Sequence, residues 1–153
     1  MKTFAVSLLI LGIILMLKVN AQDNSTRFEQ QHHKSYIESH LKQTGQMLFS
    51  SLESNNVGIV SSSVQTIREL EQIFPTYKFD SLLDPLITLI ENENSDTQVR
   101  ILSALALDEL HSEKGDKVIY TVAKQTNNQS VKDICIALSI ESLKSDLASK
   151  AIQ

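Results

Sequence analysis

Four histidines, one cysteine, a run of three serines and several closely spaced acids are the residues of this chain that could carry reaction chemistry. A metal site needs two or more imidazoles converging on one ion. His32, His33 and His40 fall on one helical stretch, and His33 and His40 stand seven apart. That is two helical turns, about 10 Å along one face, too far for a shared ion. His111 ends another helical stretch, where an imidazolium is favoured by the helix dipole. Ser61-Ser62-Ser63 lacks the flanking glycines of a nucleophile elbow. Cys135 lies between Ile134 and Ile136 and reads as a small buried hydrophobe. Glu69/Glu71 and Glu91/Glu93 are two apart, so on a helix their carboxylates diverge and read as solvated surface. No glycine-rich phosphate loop, Cys-x-x-Cys or His-Glu-x-x-His occurs. The expectation is a non-enzymatic chain with no metal and no cofactor.

Recognition chemistry is better represented. Lys117, Tyr120 and Lys124 recur at spacings of three and four, which sets an aromatic ring between two cations on one helix face. Tyrosine in a partly polar stripe is a common interface residue, and a protein or peptide is the partner such a stripe suits. The plain alternative is a core tyrosine flanked by solubilising lysines.

The composition limits the other partners. Apolar residues make up 42% of the 153, enough for one core, while four glycines and two prolines argue for helices with short connections over a turn-rich β fold. Residues 1–21 read as a signal peptide. Lys2 is followed by Phe4–Leu17, apolar except for Ser7 and Gly12, and Val19-Asn20-Ala21 places small residues where a signal peptidase cuts. Cleavage is predicted after Ala21. The alternative, a retained anchor, would want about 20 apolar residues, and this run ends at Lys18. The expected location is therefore secreted or periplasmic. Cleavage removes Lys2 and Lys18 and leaves 12 basic residues against 18 acidic. With no basic block, neither nucleic acid nor, after cleavage, a membrane surface is an expected partner.

From Ser25 to Leu52, Phe28, Tyr36, Ile37, Leu41, Met47, Leu48 and Leu52 mark a long amphipathic helix with Gly45 near its middle. Residues 22–55 are read as this element and 56–153 as a separate domain. In that domain an apolar residue recurs at every third position in three segments: Val64, Ile67, Leu70, Ile73; Ile101, Ala104, Leu107, Leu110; and Ile134, Ala137, Ile140, Leu143. Their offsets are 37 and 33 residues. A second apolar helix follows each of the first two, entered past Pro75, Asp80 and Pro85 in one case. In the other, Gly115 is read as a helix stop and Asp116 as a cap. The pattern predicts an all-α fold of helix pairs with a period in the thirties. Two and a half units leave both a short α-solenoid and a compact bundle of about six helices open.

Asp96-Thr97-Gln98-Val99-Arg100, Ala104-Leu105 and Gly115-Asp116 together resemble the short HEAT repeats of bacterial proteins. Val131-Lys132 with Ala137-Leu138 is a weaker copy, and residues 56–74 match in apolar spacing alone. The resemblance spans residues 56–150. It implies an interaction or scaffold module whose second helices line a concave face, which would carry Lys117, Tyr120 and Lys124. It also implies that Arg100, and Lys132 at the matching place, are structural, with Arg100 paired to Asp96 or Asp116. A structural homo-oligomer built through the first helix is the competing reading, and a ligand carrier or enzyme without a recognisable site is a third.

Overall fold

The computed structural model describes residues 34–151, and these form six α-helices and a short 3-10 turn, with no strand among them. The expected signal segment, Phe28, His32 and His33 lie outside the described residues. No helix among the described residues is long and apolar enough to cross a membrane. The chain divides into two compact units, residues 1–42 and 43–153. The division falls inside helix α1, residues 34–52. On the first unit's share of α1, Leu41 is buried, while Tyr36 is exposed and stacks edge-on with His40, ring centroids 4.3 Å apart. On the second unit's share Leu48 and Leu52 are buried and Met47 is exposed. Tyr36 and Met47 thus do not belong to the apolar stripe assigned to them.

In the second unit four of the five helices begin on a side-chain cap, because the first backbone N–H groups of a helix lack intrahelical partners. Asn56 Oδ1 accepts from the amides of Gly58 and Ile59 at 2.9 and 3.3 Å and starts α2, Val57–Ile73. Phe74 and Pro75 end it, and the 3-10 turn Asp80–Leu82 leads into α3, Leu83–Glu91. Pro85 falls in the first turn of α3, where a missing N–H costs nothing. Asp96 Oδ1 caps α4, Thr97–Glu109, through Gln98 N at 2.8 Å and Val99 N at 3.4 Å. Ser112 Oγ caps α5, Glu113–Gln125, through Gly115 N at 2.9 Å. Asn128 Oδ1 accepts from Val131 N at 3.2 Å at the start of α6, Gln129–Ala151.

The α4–α5 junction differs from the expected one. The stop is His111, with φ of 46°, in the left-handed conformation usual for a residue just past a helix. Gly115 and Asp116 lie inside the first turn of α5. Gly115 is needed for a different reason: a Cβ there would stand 3.0 Å from Ser112 Oγ and 3.1 Å from the Leu107 carbonyl oxygen. The glycine lets α5 approach the end of α4 closely.

Helix α4 is the centre of the packing. It contacts α2, α3, α5 and α6, while α3 also contacts α5, and α5 packs along α6. Val99, Arg100, Ser103, Ala104, Ala106 and Leu107 of α4 are buried as a consequence. Two ion pairs tie the elements together. Arg68 of α2 grips Glu109 of α4 with Nε and Nη2 at 3.0 and 2.7 Å, and Lys114 of α5 meets Asp84 of α3.

Aligning the helices by their caps revises the repeat. Asn56, Asp96 and Asn128 are the equivalent starts, so the offsets are 40 and 32 residues. In this register buried Ser63, Val64 and Ile67 match buried Ser103, Ala104 and Leu107, and buried Val131, Cys135 and Leu138 match buried Val99, Ser103 and Ala106. Ala137 and Ile140, placed in the core by the sequence pattern, are exposed together with Ile136 and Leu143. A three-residue spacing looks the same after a slip of three, which accounts for the first offset, 37 against 40. The second offset differs by one residue, enough to turn a helix by about 100° and move Ala137 and Ile140 off the buried face. A spacing of three also fails to repeat on a helix of 3.6 residues per turn, so it cannot set the buried face of a long helix.

Candidate functional site

Arg100 is 1% exposed and lies at the meeting of α3, α4 and the α5–α6 connector. Its Nε donates to the Ile90 carbonyl at 2.9 Å, and its Nη2 donates to Glu93 Oε1 at 2.6 Å and Thr126 Oγ1 at 3.1 Å. Thr126 in turn donates to Glu93 Oε1 at 2.8 Å. The acid that pairs with Arg100 is thus Glu93, from the polar connector before α4. Asp96 is occupied as the cap, and Asp116 sits on α5. The bonds from Arg100 and Thr126 hold the Glu93 carboxyl below the usual carboxylate range. A buried guanidinium bonded to a helix-end carbonyl and two connector side chains fixes helix ends in place and offers no exposed group to a ligand. Lys132 occupies the corresponding place on α6 and is half-buried, and Val99 is fully part of the core.

Asn128 is committed in a similar way. Its Nδ2 donates to Thr97 Oγ1 at 2.8 Å while its Oδ1 caps α6, so this amide joins the starts of α4 and α6. Cys135 is buried at the α6 position that matches Ser103 of α4, and burial pushes its thiol up to about 11, with the charge of Arg100 opposing. A thiol so protonated is a poor nucleophile.

The Lys117–Tyr120–Lys124 stripe is exposed on α5. Lys124 Nζ stands 4.1 Å above the Tyr120 ring, and Lys117 bonds Glu113 at 2.7 Å. Tyr120 is 51% exposed, which places it outside the core. Lys117 and Tyr120 form one bank of a groove of about 400 Å³ between α5 and α6. Ile119 and Leu138 line its depth, Leu143, Ser139 and Ser142 form the α6 bank, and Asp108, Glu113 and Asp116 stand at one end. Lys124 does not line the groove but braces the tyrosine ring from the side.

The groove has an electrostatic sign. Partial burial of Asp108 raises its carboxyl above the usual range, and the charges of Asp116, Glu141 and Glu109 push it the same way, with His111 opposing. Negative charge is therefore crowded beside an apolar floor. A second cavity, of about 420 Å³, lies at the turn before α3 and the end of α4 and is lined by Glu71, Tyr77, Phe79 and His111 among others. Among the described residues no group of three or more His, Cys, Asp or Glu side chains is arranged to hold a metal.

The sequence pattern found Tyr120 and Lys117 because helical spacing reports a shared face directly. It missed Asp108, Leu138, Leu143, Glu93 and Thr126, which belong to other elements. Glu93 and Asp108 could have been flagged as acids beside buried basic or apolar positions, but nothing in the spacing pairs them with Arg100 or Tyr120. Compared with known proteins, the chain matches no family model, no curated protein and no solved structure.

Proposed function

We propose that this chain is an exported, non-catalytic helical-repeat protein of HEAT type that binds a protein or peptide in the groove between α5 and α6. The observation that carries the reading is the uncovered apolar surface there: Tyr120 and Leu143 are large, exposed and line the groove from two adjacent helices, above a floor of Ile119 and Leu138. Apolar side chains gathered on one surface of a soluble domain mark contact sites. The repeat reading is supported by three capped helices, α2, α4 and α6, that pack in succession with α3 and α5 between them in sequence. It is also supported by the shared cap, valine and basic residue at Asp96, Val99 and Arg100 and at Asn128, Val131 and Lys132. Export rests on the composition of residues 1–21, and a mature chain beginning at Gln22 in the mass spectrum would support it.

A photo-crosslinking residue placed at position 120 in the expressing cell tests the binding reading. The expected result is a discrete heavier adduct that is absent when the same residue replaces exposed Gln72 on α2. Identical adducts from both positions, or none from either, would refute a binding role for the groove.

A further inference from the structure

We infer that the occupant of the α5–α6 groove is an amphipathic helix of a partner protein, carrying lysine or arginine beside its apolar face. The inference rests on the proposed binding role of the groove and names the chemistry of what enters it. The floor and α6 bank, Ile119, Leu138 and Leu143, call for aliphatic side chains, and Leu143 is 60% exposed without an occupant. Tyr120 adds a flat ring already braced by Lys124 on one side.

The charge at the end of the groove selects among apolar partners. Asp108 lines the groove with Glu113 and Asp116, is partly withdrawn from water, and feels the negative charges of Asp116, Glu141 and Glu109, with His111 opposing. The lysine that lines the groove, Lys117, is engaged by Glu113 at 2.7 Å. A cation of the partner set beside Asp108 offsets this like-charge crowding, whereas an acid there would add to it. The same sign argues against a second copy of this chain, whose mature form would carry 12 basic residues against 18 acidic, and it repels anionic lipid and nucleic acid. Length is also defined. The residues of α5 that line the groove run from Glu113 to Tyr120, about 10 Å at 1.5 Å per residue, so about two turns of a partner helix meet this bank. Apolar side chains at spacings of three and four on such a helix would meet the floor, and a basic residue at one end would reach Asp108.

The test uses the full mature chain and a synthetic helical peptide of about 14 residues, with a leucine face flanked by lysines, followed by fluorescence anisotropy. A second peptide replaces every lysine with glutamate. The lysine peptide should bind and the glutamate peptide should not, and added salt should weaken the complex. Asp108→Asn should weaken binding about tenfold, as expected for one partly desolvated charge pair, while its melting temperature stays equal or rises. Leu143→Ser, at an exposed position, should weaken binding without unfolding the chain.

Equal binding of both peptides, with dependence on Leu143 but not Asp108, would keep the groove as a binding site and overturn its basic partner. Binding of neither peptide, with crosslinks from position 120 persisting in cells, would do the same. If self-association of the chain is found and is abolished by Leu143→Ser, the groove belongs to a second copy and the inference is wrong. If binding is unchanged in both variants, the groove itself is not the site.

Discussion

Helices α4 and α6 begin almost identically and end in different surroundings. Each starts on a side-chain cap, Asp96 or Asn128, followed three residues later by a buried valine and then a basic residue. Helix α4 has neighbours on several sides, α2, α3, α5 and α6, whereas the described contacts of α6 are with α4 and α5. Ala104 is buried, while Ile136, Ala137, Ile140 and Leu143 face outward. Arg100 is enclosed and triply bonded where Lys132 is only half-buried. Similar local sequence therefore sets helix start and phase in both. Which apolar positions become core is decided by what packs alongside, and, of the outward-facing apolar residues of α6, Leu143 lines the groove.

The strongest test of that contrast is a pair of aspartates. Ala104→Asp places an unpaired carboxylate in the centre of the packing and should cost at least about 3 kcal/mol, a large part of a typical net stability. Ala137→Asp, at an exposed position, should stay within about 0.5 kcal/mol of wild type. Chemical denaturation of both variants measures the difference, and comparable losses would mean that α6 buries the same face as α4.

Next in size is the buried guanidinium. Arg100→Met removes the donors to Ile90, Glu93 and Thr126 and should cost about 2–3 kcal/mol, because the helix-end carbonyl loses its partner. Lys132→Met should cost less than about 1 kcal/mol. An equal effect in the two would erase the distinction between the two helix starts.

The glycines provide a smaller pair with opposite signs. At Gly115 an added methyl meets Ser112 Oγ and the Leu107 carbonyl, so Gly115→Ala should destabilise by about 1–2 kcal/mol. At Gly45, inside α1, nothing lies within 4 Å of the added methyl, and Gly45→Ala should stabilise by about 0.5–1 kcal/mol through helix propensity alone. Differential scanning calorimetry of the two variants would show melting temperatures moving in opposite directions.

The smallest expected effect is a pH dependence in which two acids work against each other. Glu93 is held low by Arg100 and Thr126, so its contribution is present above the unfolded carboxylate range and disappears as pH falls through its folded value. Asp108 is raised by burial and neighbouring acids, so ionising it costs stability as pH rises from the unfolded range through its folded value. Asp108→Asn should slightly raise stability at neutral pH and reduce that upward-pH loss, and Arg100→Met should flatten the acid-side loss. Melting curves collected from acidic to neutral pH check both signs.

The all-helical class and the shared α5 face of Lys117, Tyr120 and Lys124 were legible in the residues because each depends on neighbours within a turn or two along the chain. Burial of Cys135 was legible for a related reason: a cysteine flanked by two isoleucines has no polar group nearby to hold it at the surface. Gly115 was visible as special, but as a helix stop, since sequence shows that a side chain is missing and not which neighbour would have met it. The left-handed residue that does end α4 is His111, a type that gives little warning of that role.

Local periodicity determined that this chain forms short capped helices with an apolar face, because caps and helical spacing act over a few residues of sequence. The tertiary structure alone decided which face of α6 is core, which acid meets Arg100 and which carboxylates gather beside Tyr120. Those outcomes join residues 7 to 26 positions apart in sequence around Arg100, and acids of α4, α5 and α6 around Asp108. A spacing of three carries no information about such distant partners, because it is unchanged when one helix slides by three residues against the next.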